Sequence, residues 1–342
     1  ADGTQFLKVA LNICRYDTFT LYGSELGNKF IHHGWIPYYL KSLLSIDCNF
    51  HYFFIFNFLV KLITTFFSYL FLNKKIDNFY IIIILSLIFT IQLKLQFRPE
   101  TFALMLSSII IFLHDNKNYK LVALFFAVLF YSHLIFLGLF FIIYFYKIYF
   151  NLRIFLHSSL IFILTLFLLD LIYPYNITDY LNGILSENSG TWLIGGGGFS
   201  LPLFIEYYII TIIHGGGYLP LWGILFFLTI LILLKQNKLM YLTLPFLYYF
   251  SLRNIPGNYY MTGMTPILIF LIFFFKDKDY LYKSKVIKSF FLLILFISVM
   301  GFTHYFTRNI FTIKYFKNDL NDTINFIDSN LEVINFLHLD FI

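Results

Sequence analysis

The chain has 342 residues, of which 59% are hydrophobic, 23% aromatic and only 12% charged, and its mean hydropathy is +0.77. A water-soluble core of this length does not need so much apolar surface, so the composition predicts a protein whose solvent is lipid. The net charge of +6 comes from basic residues scattered over short loops, which argues against nucleic acid as a partner.

Residues 1–50 precede the first long apolar stretch and open with an amphipathic segment. Its apolar residues recur at helical spacing, and they are Phe6, Val9, Ala10 and Ile13. Asp2 stands just before this segment. A carboxylate there either caps the helix or is held at the membrane–water interface for chemistry, and both roles remain open.

The apolar stretches after residue 50 predict an all-α, polytopic membrane protein. A span needs roughly 20 residues to cross about 30 Å of hydrocarbon. The candidate spans are residues 52–73, 79–95, 101–114, 154–173, 217–234, 239–252, 261–275 and 287–306. Several are shorter than that length, so their ends are defined only to within several residues. Residues 308–342 are polar and form a predicted external tail, which leaves 1–307 as the membrane domain.

Lysine and arginine are distributed unevenly over the predicted loops. One set of loops holds 13 Lys and Arg against 4 acidic residues, and it consists of 74–78, 115–120, 147–153, 235–238 and 276–286 extended to Lys288. The other set holds 10 against 13, and it consists of 1–50, 92–100, 174–216, 251–260 and 304–342. The positive-inside rule predicts that the first set is cytoplasmic and the second external.

Residues 121–146 form one long apolar run with Ser132 and His133 in its middle. The run is either one tilted helix or two short helices broken at this point. The predicted loops alternate between the two sides of the membrane only if this run crosses twice and residues 201–214 stay on the external side, which favours two helices. Five external features then gather at one membrane face, and they are Asp2, Arg98-Pro99-Glu100, His133, Arg253 and His304.

The segment 183–217 is rich in glycine but contains no Gly-Lys-Ser/Thr sequence, which argues against a nucleotide P-loop there. It is either a plain flexible linker or a loop that orders over a substrate. His32-His33 has no ligand partners at useful spacing, and Cys14 and Cys48 are too few for a disulfide framework or a metal site. We therefore expect no metal and no cofactor.

A degenerate motif covers the first segment, and it reads Asp2-Gly3, Phe6, Ala10, Asn12, Phe19 and Gly34-Trp35-x-Pro37. It resembles the first external loop of the GT-C glycosyltransferases, polytopic enzymes that take a sugar from a polyprenyl-phosphate carrier. Protein mannosyltransferases and lipid A sugar transferases belong to this group. In the family a transmembrane span precedes the acidic residue, so we expect the chain to lack that first span. The resemblance extends through the hydropathy pattern to about residue 307.

The resemblance implies that Asp2 is the general base. Sugar transfer to a hydroxyl group needs a base that takes the acceptor proton as the glycosidic carbon develops oxocarbenium character. The alternative is structural, because Asp2-x-x-Gln5 fits a capping box. A carboxylate can serve both roles.

Arg98-Pro99-Glu100 lies between two apolar stretches, and Pro99 suits the first turn of the following helix. Turns of this kind occur in GT-C members. Arg98 at the headgroup level would bind a lipid phosphate through its planar donors. The alternative is an interfacial anchor with Glu100 as a helix cap.

His133 at membrane depth is a functional candidate by default, although a histidine bonded to a neighbouring helix is the commoner outcome. The segment from Arg253 to Tyr260 resembles a family turn that faces the carrier phosphate, which makes Arg253 and Tyr259 candidate donor-binding residues. Arg253 is the only charged residue of its loop, and its alternative role is snorkelling to the interface.

These patterns predict a multi-pass glycosyltransferase of a cell membrane, expected to be a bacterial inner membrane. Its partners would be a polyprenyl-phosphate sugar donor, a lipid, glycan or protein acceptor, and membrane lipids. A polysaccharide polymerase is the alternative enzyme. A flippase or transporter ranks third, because ionisable residues within spans are few, namely Lys61, His133 and Asp170.

Overall fold

A computed structural model describes residues 10, 13–14, 36–43, 50–95, 99–144, 151–172, 219–235, 237–243, 265–272, 285–286, 288–293, 296 and 299–300. These residues are almost entirely helical and include no β-strand, which confirms the predicted all-α class. The α-helices are α1 Ile36–Leu43, α2 Phe50–Asn73, α3 Asn78–Leu95, α4 Pro99–Asp115, α5 Tyr119–Phe130, α6 Gly138–Ile143, α7 Leu152–Ile172 and α8 Leu219–Lys235. Two 3₁₀ helices cover Leu134–Leu137 and Leu239–Leu242, and residues 265–272 are also helical.

Helices α2, α3 and α4 form an up–down–up unit around the main hydrophobic core. The rings of Phe56 and Phe102 are 6.3 Å apart near the start of α2 and α4. The rings of Phe67 and Phe112 are 5.4 Å apart near the other end of the same two helices. These two contacts show that α2 and α4 run parallel. Helix α3, which comes between them in the sequence, runs in the opposite direction.

The loops that follow α2 and α4 lie together at one end of this unit. The Lys75 ammonium is 2.6 Å from the Asp115 carboxylate, and Lys74 donates a hydrogen bond of 2.7 Å to the Asn116 side chain. Lys117 has a φ of 60°, which turns the chain sharply before Asn118 caps α5. The two basic loops therefore share one end, as their charge predicted, while their cytoplasmic location stays a prediction.

The apolar run of residues 121–146 is broken at Ser132 and His133, which confirms the interpretation as two helices. Helix α5 ends at Phe130, and His133 has an extended backbone with φ −165°. The break keeps its polar groups bonded, since the Ser132 hydroxyl donates to the Val128 carbonyl at 2.6 Å and the His133 amide to the Leu129 carbonyl at 2.8 Å. Non-helical backbone is tolerated among apolar helices only under this condition.

After the break the chain turns back alongside α5. The ring of Phe126 is 5.2 Å from that of Phe140 and 5.7 Å from that of Tyr144. Helix α7 then runs forward again, because the Tyr131 hydroxyl donates to the Asp170 carboxylate at 3.2 Å near the last turn of α7. The ends of α5 and α7 therefore meet at the end of the bundle opposite the basic loops.

The outer surface of the helices is strongly apolar. Two of the described helices are long and apolar enough to cross a membrane, Ile55–Asn73 and Leu152–Leu171, and only 6% of the second segment is buried against 39% of the first. Large side chains on α7 are exposed, and they are Leu152, Leu156, Leu160, Ile163, Leu164, Phe167, Leu168 and Leu171. That these helices cross a membrane, and that the protein spans it several times, stays a prediction.

Candidate functional site

The candidate site lies at the end of the bundle where α4 begins. Pro99 is the first residue of α4, and Glu100 is the acidic residue of its first turn. Proline is favoured at this position because its missing N–H has no intrahelical role there, and a carboxylate is stabilised by the partial positive charge of the helix N-terminus. Glu100 is 1% exposed. A surface cap does not require such burial.

A lysine of α1 interacts electrostatically with this carboxylate. Lys41 is also 1% exposed, although it belongs to a short helix of the predicted external segment 1–50. Burial lowers the pKa of Lys41 from its ordinary value of 10.5 to about 7, and the attraction of Glu100 offsets part of that shift. Two buried groups of opposite charge, 59 positions apart in the sequence, are therefore brought together by the fold.

Helix α1 is joined to the bundle by more than this electrostatic interaction. The Ile36 amide donates a hydrogen bond of 3.4 Å to the Tyr131 carbonyl, beside the break in the apolar run. Tyr38 is fully buried and packs with Ile13 of the preceding segment. Cys14 is disulfide-bonded. The two cysteines of the chain are too few for a disulfide framework, but they are enough for a single bond. These contacts hold α1 over the start of α4.

His133 lies at the same end as Glu100. Helix α5 runs back along α4, and the 3₁₀ helix that follows His133 contacts α4. The His133 side chain is completely buried, and its ring is edge-on to Phe136 at 5.2 Å. This packing is what a structural histidine at a chain break would have, and it leaves the predicted substrate role of His133 as a hypothesis.

Asn57 adds a polar group to the same end of the bundle. It follows Phe56, whose ring stacks on Phe102, so it lies about level with the first turns of α4. Asn57 is 4% exposed, and neither side-chain amide atom has a hydrogen-bond partner among the residues that the structure describes. Further along the same face of α2, Thr64 and Ser68 are buried as well.

A small cavity lies deeper in the bundle, away from Glu100. Its volume is about 30 Å³, and its polar lining consists of the hydroxyl groups of Thr64, Ser68, Ser108 and Thr265. A space of that size holds roughly two water molecules. Since Thr64 and Ser108 already donate to carbonyl groups of their own helices, the cavity offers little to a larger polar ligand.

The structure tests the sequence-derived site only in part. Asp2, Arg98, Arg253 and Tyr259 lie outside the described residues, as does the glycine-rich segment. Sequence reasoning did not single out Lys41 or Asn57. The available signals were a lysine inside a short apolar helix and an asparagine inside an apolar span, both of which are expensive to bury.

In the described part of the chain no group of three or more His, Cys, Asp or Glu could hold a metal ion. The chain matches no protein-family model, no curated protein and no solved structure. At this end of the bundle the described residues include a buried carboxylate, a buried lysine that interacts with it electrostatically, and a buried amide on α2.

Proposed function

We propose that the protein is an integral membrane glycosyltransferase that moves a sugar from a polyprenyl-phosphate donor to an acceptor on the external side. In the reaction the acceptor oxygen attacks the anomeric carbon, and the bond from that carbon to the phosphate oxygen breaks. The carrier phosphate leaves with the electron pair, and the acceptor proton passes to a carboxylate base. Asp2 is the proposed base, as the resemblance to GT-C enzymes implies.

The observation that carries this proposal is the buried pair of Lys41 and Glu100. It joins a helix of the first predicted loop to the Arg-Pro-Glu turn, the two regions where the resemblance requires a site. Burying two charges costs several kcal/mol per ion, and apolar residues of similar size would stabilise such an interface at least as well. A pair kept at that cost is more typical of a binding site than of a structural contact.

The outer surface of α7 supports the membrane setting. Eight large apolar side chains on this helix are more than half exposed, among them Leu156, Phe167 and Leu171. In water a contiguous surface of this kind would promote aggregation, whereas lipid tails solvate it. The candidate site lies at one end of these helices, where a carrier lipid would present its phosphate and sugar.

The disulfide at Cys14 supports an external site. Disulfides persist in oxidising compartments and are rare on the cytoplasmic side of a membrane. Because Ile13, next to Cys14, packs on Tyr38 of α1, the same compartment contains the helix that supplies Lys41. This agrees with the positive-inside assignment, which was made from loop charge alone.

The proposed division of roles follows from the chemistry of each group. Arg98 and Arg253 would bind the donor phosphate through paired N–H groups. Glu100 would accept hydrogen bonds from sugar hydroxyl groups rather than bind phosphate, since its carboxylate repels an anion. Tyr259 and His133 would complete the donor site.

A lipid-linked sugar flippase is the second candidate, and one observation favours it. Asn57, Lys61, Thr64 and Ser68 recur at positions i, i+4, i+7 and i+11 of α2, so polar groups follow one face of an otherwise apolar helix. Transporters use such polar faces. The buried charges Lys41 and Glu100, however, lie at one end of the bundle rather than in its middle, which favours an enzyme.

The experiment is a transfer assay with the full chain in lipid vesicles. Polyprenyl-phosphate carriers with radiolabelled sugars are supplied, and we expect label to move to an acceptor. Glu100→Gln should reduce transfer at least a hundredfold, whereas Asp115→Asn at the opposite end should leave it within about twofold. Movement of the intact labelled carrier across the bilayer without transfer would support the flippase instead.

A further inference from the structure

The Asn57 side chain stands apart from the other buried polar groups of α2 and α4. Thr64 donates to the Val60 carbonyl at 2.7 Å, and Ser107 donates to the Ala103 carbonyl at 2.8 Å. A hydroxyl group on a helix can satisfy itself in this way. The Asn57 amide has both of its polar atoms buried and no partner for either among the described residues.

Such an amide is costly to bury. The group loses its bonds to water on folding, and the loss is recovered only when a partner replaces the water. An apolar residue in its place, inside the sequence Phe56-Asn57-Phe58, would avoid the loss. A buried polar group with no partner among the described residues therefore points to a partner that lies outside them, and a bound ligand is one such partner.

The position of Asn57 indicates where that explanation lies. Its neighbour Phe56 stacks on Phe102, two residues beyond Glu100 in the first turns of α4. Asn57 therefore lies on the buried side of α2 at the end of the bundle that holds the Lys41–Glu100 pair. A ligand bound at this pair would be a close source of hydrogen-bonding groups.

We propose that Asn57 is a substrate-contacting residue whose side-chain amide binds hydroxyl groups of the transferred sugar. The amide has one acceptor oxygen and two N–H donors. Neighbouring hydroxyl groups of a sugar both donate and accept, so they match this set, whereas a phosphate offers only acceptors. The inference rests on the proposed glycosyltransferase function and names the part of the donor that this residue recognises.

The test compares carriers with and without sugar. Binding of a polyprenyl-phosphate sugar and of the bare polyprenyl phosphate is measured in detergent from the shift of the unfolding temperature with ligand concentration. We expect the wild type to prefer the sugar-bearing carrier. Asn57→Leu should bind that carrier about tenfold more weakly, bind the bare carrier as before, and unfold without ligand at the wild-type temperature or above.

The matched control is Ser107→Ala, which removes a buried hydroxyl that is already bonded within its helix. It should keep the preference for the sugar. Asn57→Ala serves as a second variant should the leucine not be accommodated. The proposal is overturned if either Asn57 variant folds and retains the preference, or if Ser107→Ala loses it equally.

A panel of soluble methyl glycosides separates this proposal from the proposed function. If the wild type binds neither carrier but binds a glycoside through Asn57, the glycosyltransferase assignment is wrong and the sugar contact stands. If the wild type binds none of these probes, the sugar contact is wrong. If transfer is observed and Asn57→Leu does not affect it or the carrier preference, only the Asn57 inference fails.

Discussion

The two ends of the helical bundle each contain a lysine near a carboxylate, in opposite surroundings. At one end Lys75 and Asp115 are 2.6 Å apart, and their side chains are 21% and 24% exposed. At the other end Lys41 and Glu100 are 1% exposed each. The first pair joins two short loops that lie next to each other, whereas the second connects a separate helix, α1, to the first turn of α4.

The difference shows that a lysine and a carboxylate contribute differently to stability when they are solvated and when they are buried. A solvated pair contributes about 0–1 kcal/mol and costs little when one partner is lost. A buried pair adds little net stability, but loss of one partner leaves the other as an uncompensated charge. The loop pair is therefore a local contact, and the buried pair marks the region where the chain has kept charge against an energetic cost.

Removing one carboxylate at each end tests most directly whether the two pairs differ in energy. At a pH well below 7, where Lys41 carries its proton, Glu100→Gln should lower the free energy of unfolding by about 3–5 kcal/mol, because the Lys41 ammonium is left buried without its counter-charge. Asp115→Asn should lower it by less than about 1 kcal/mol. Denaturant titration of both variants in one detergent measures the difference, and equal losses would show that the two pairs are energetically alike.

A double variant serves as the control for that result. Lys41→Met combined with Glu100→Met replaces both charges by apolar groups, and it should recover most of the stability lost in Glu100→Gln. If the double variant is as unstable as the single one, the loss comes from packing rather than from the unpaired charge.

The buried lysine also predicts a pH dependence that the exposed lysine should lack. The pKa of Lys41 is lowered to about 7 by burial, with Glu100 the carboxylate that opposes the shift. From about pH 7 to pH 10.5 the unfolded chain binds a proton that the folded chain has released, so the free energy of unfolding rises with pH across this window. Below about pH 7 both states carry the proton, and the contribution is constant.

Unfolding free energies at several pH values test this against Lys41→Met, which should lack that part of the rise. Lys75→Met is the matched control and should follow the wild type. Glu100→Gln should extend the rise to lower pH, since loss of the carboxylate lowers the pKa of Lys41 further. If the free energy of unfolding of Lys41→Met rises with pH as steeply as that of the wild type, Lys41 is not the group that titrates.

The smallest expected effect concerns the hydrogen bond between Tyr131 and Asp170, at the same end as Lys41. Tyr131→Phe removes the hydroxyl and should cost about 1 kcal/mol, as for a typical hydrogen bond. Sugar transfer should remain, because this bond joins α5 to α7 and is not assigned to the donor. Loss of transfer with unchanged stability would place Tyr131 in the site and extend the functional end of the bundle to α7.

Much of the fold could be predicted from sequence because hydropathy is a local property. The predicted spans 52–73, 79–95 and 154–173 correspond to α2, α3 and α7 within about two residues at each end. Pro99 correctly marked a helix start, and Ser132 correctly marked a break. Lys75 and Asp115 also lie at one end of the bundle, as expected for two loops that were assigned to the same side.

The candidate site was less predictable because burial depends on partners far away in the chain. Lys41 belongs to a short helix whose depth is set by α4 and α5, and Asn57 is one polar residue in a long apolar run. The residues next to Lys41 and Asn57 in the sequence do not indicate whether these side chains face lipid, water or the core. The roles of Asp2, Arg98 and Arg253 stay predictions, because these residues lie outside the described part of the chain.

In the membrane setting proposed above, the break at Ser132 and His133 affects how the chain would be inserted during synthesis. Helix α5 has 12 residues, and a single segment needs roughly 20 apolar residues to span hydrocarbon. Helix α5 would therefore not span the bilayer alone. It would have to enter together with the segment that follows the break, and the rings of Phe126 and Phe140, 5.2 Å apart, are a contact that such a hairpin would form on entry.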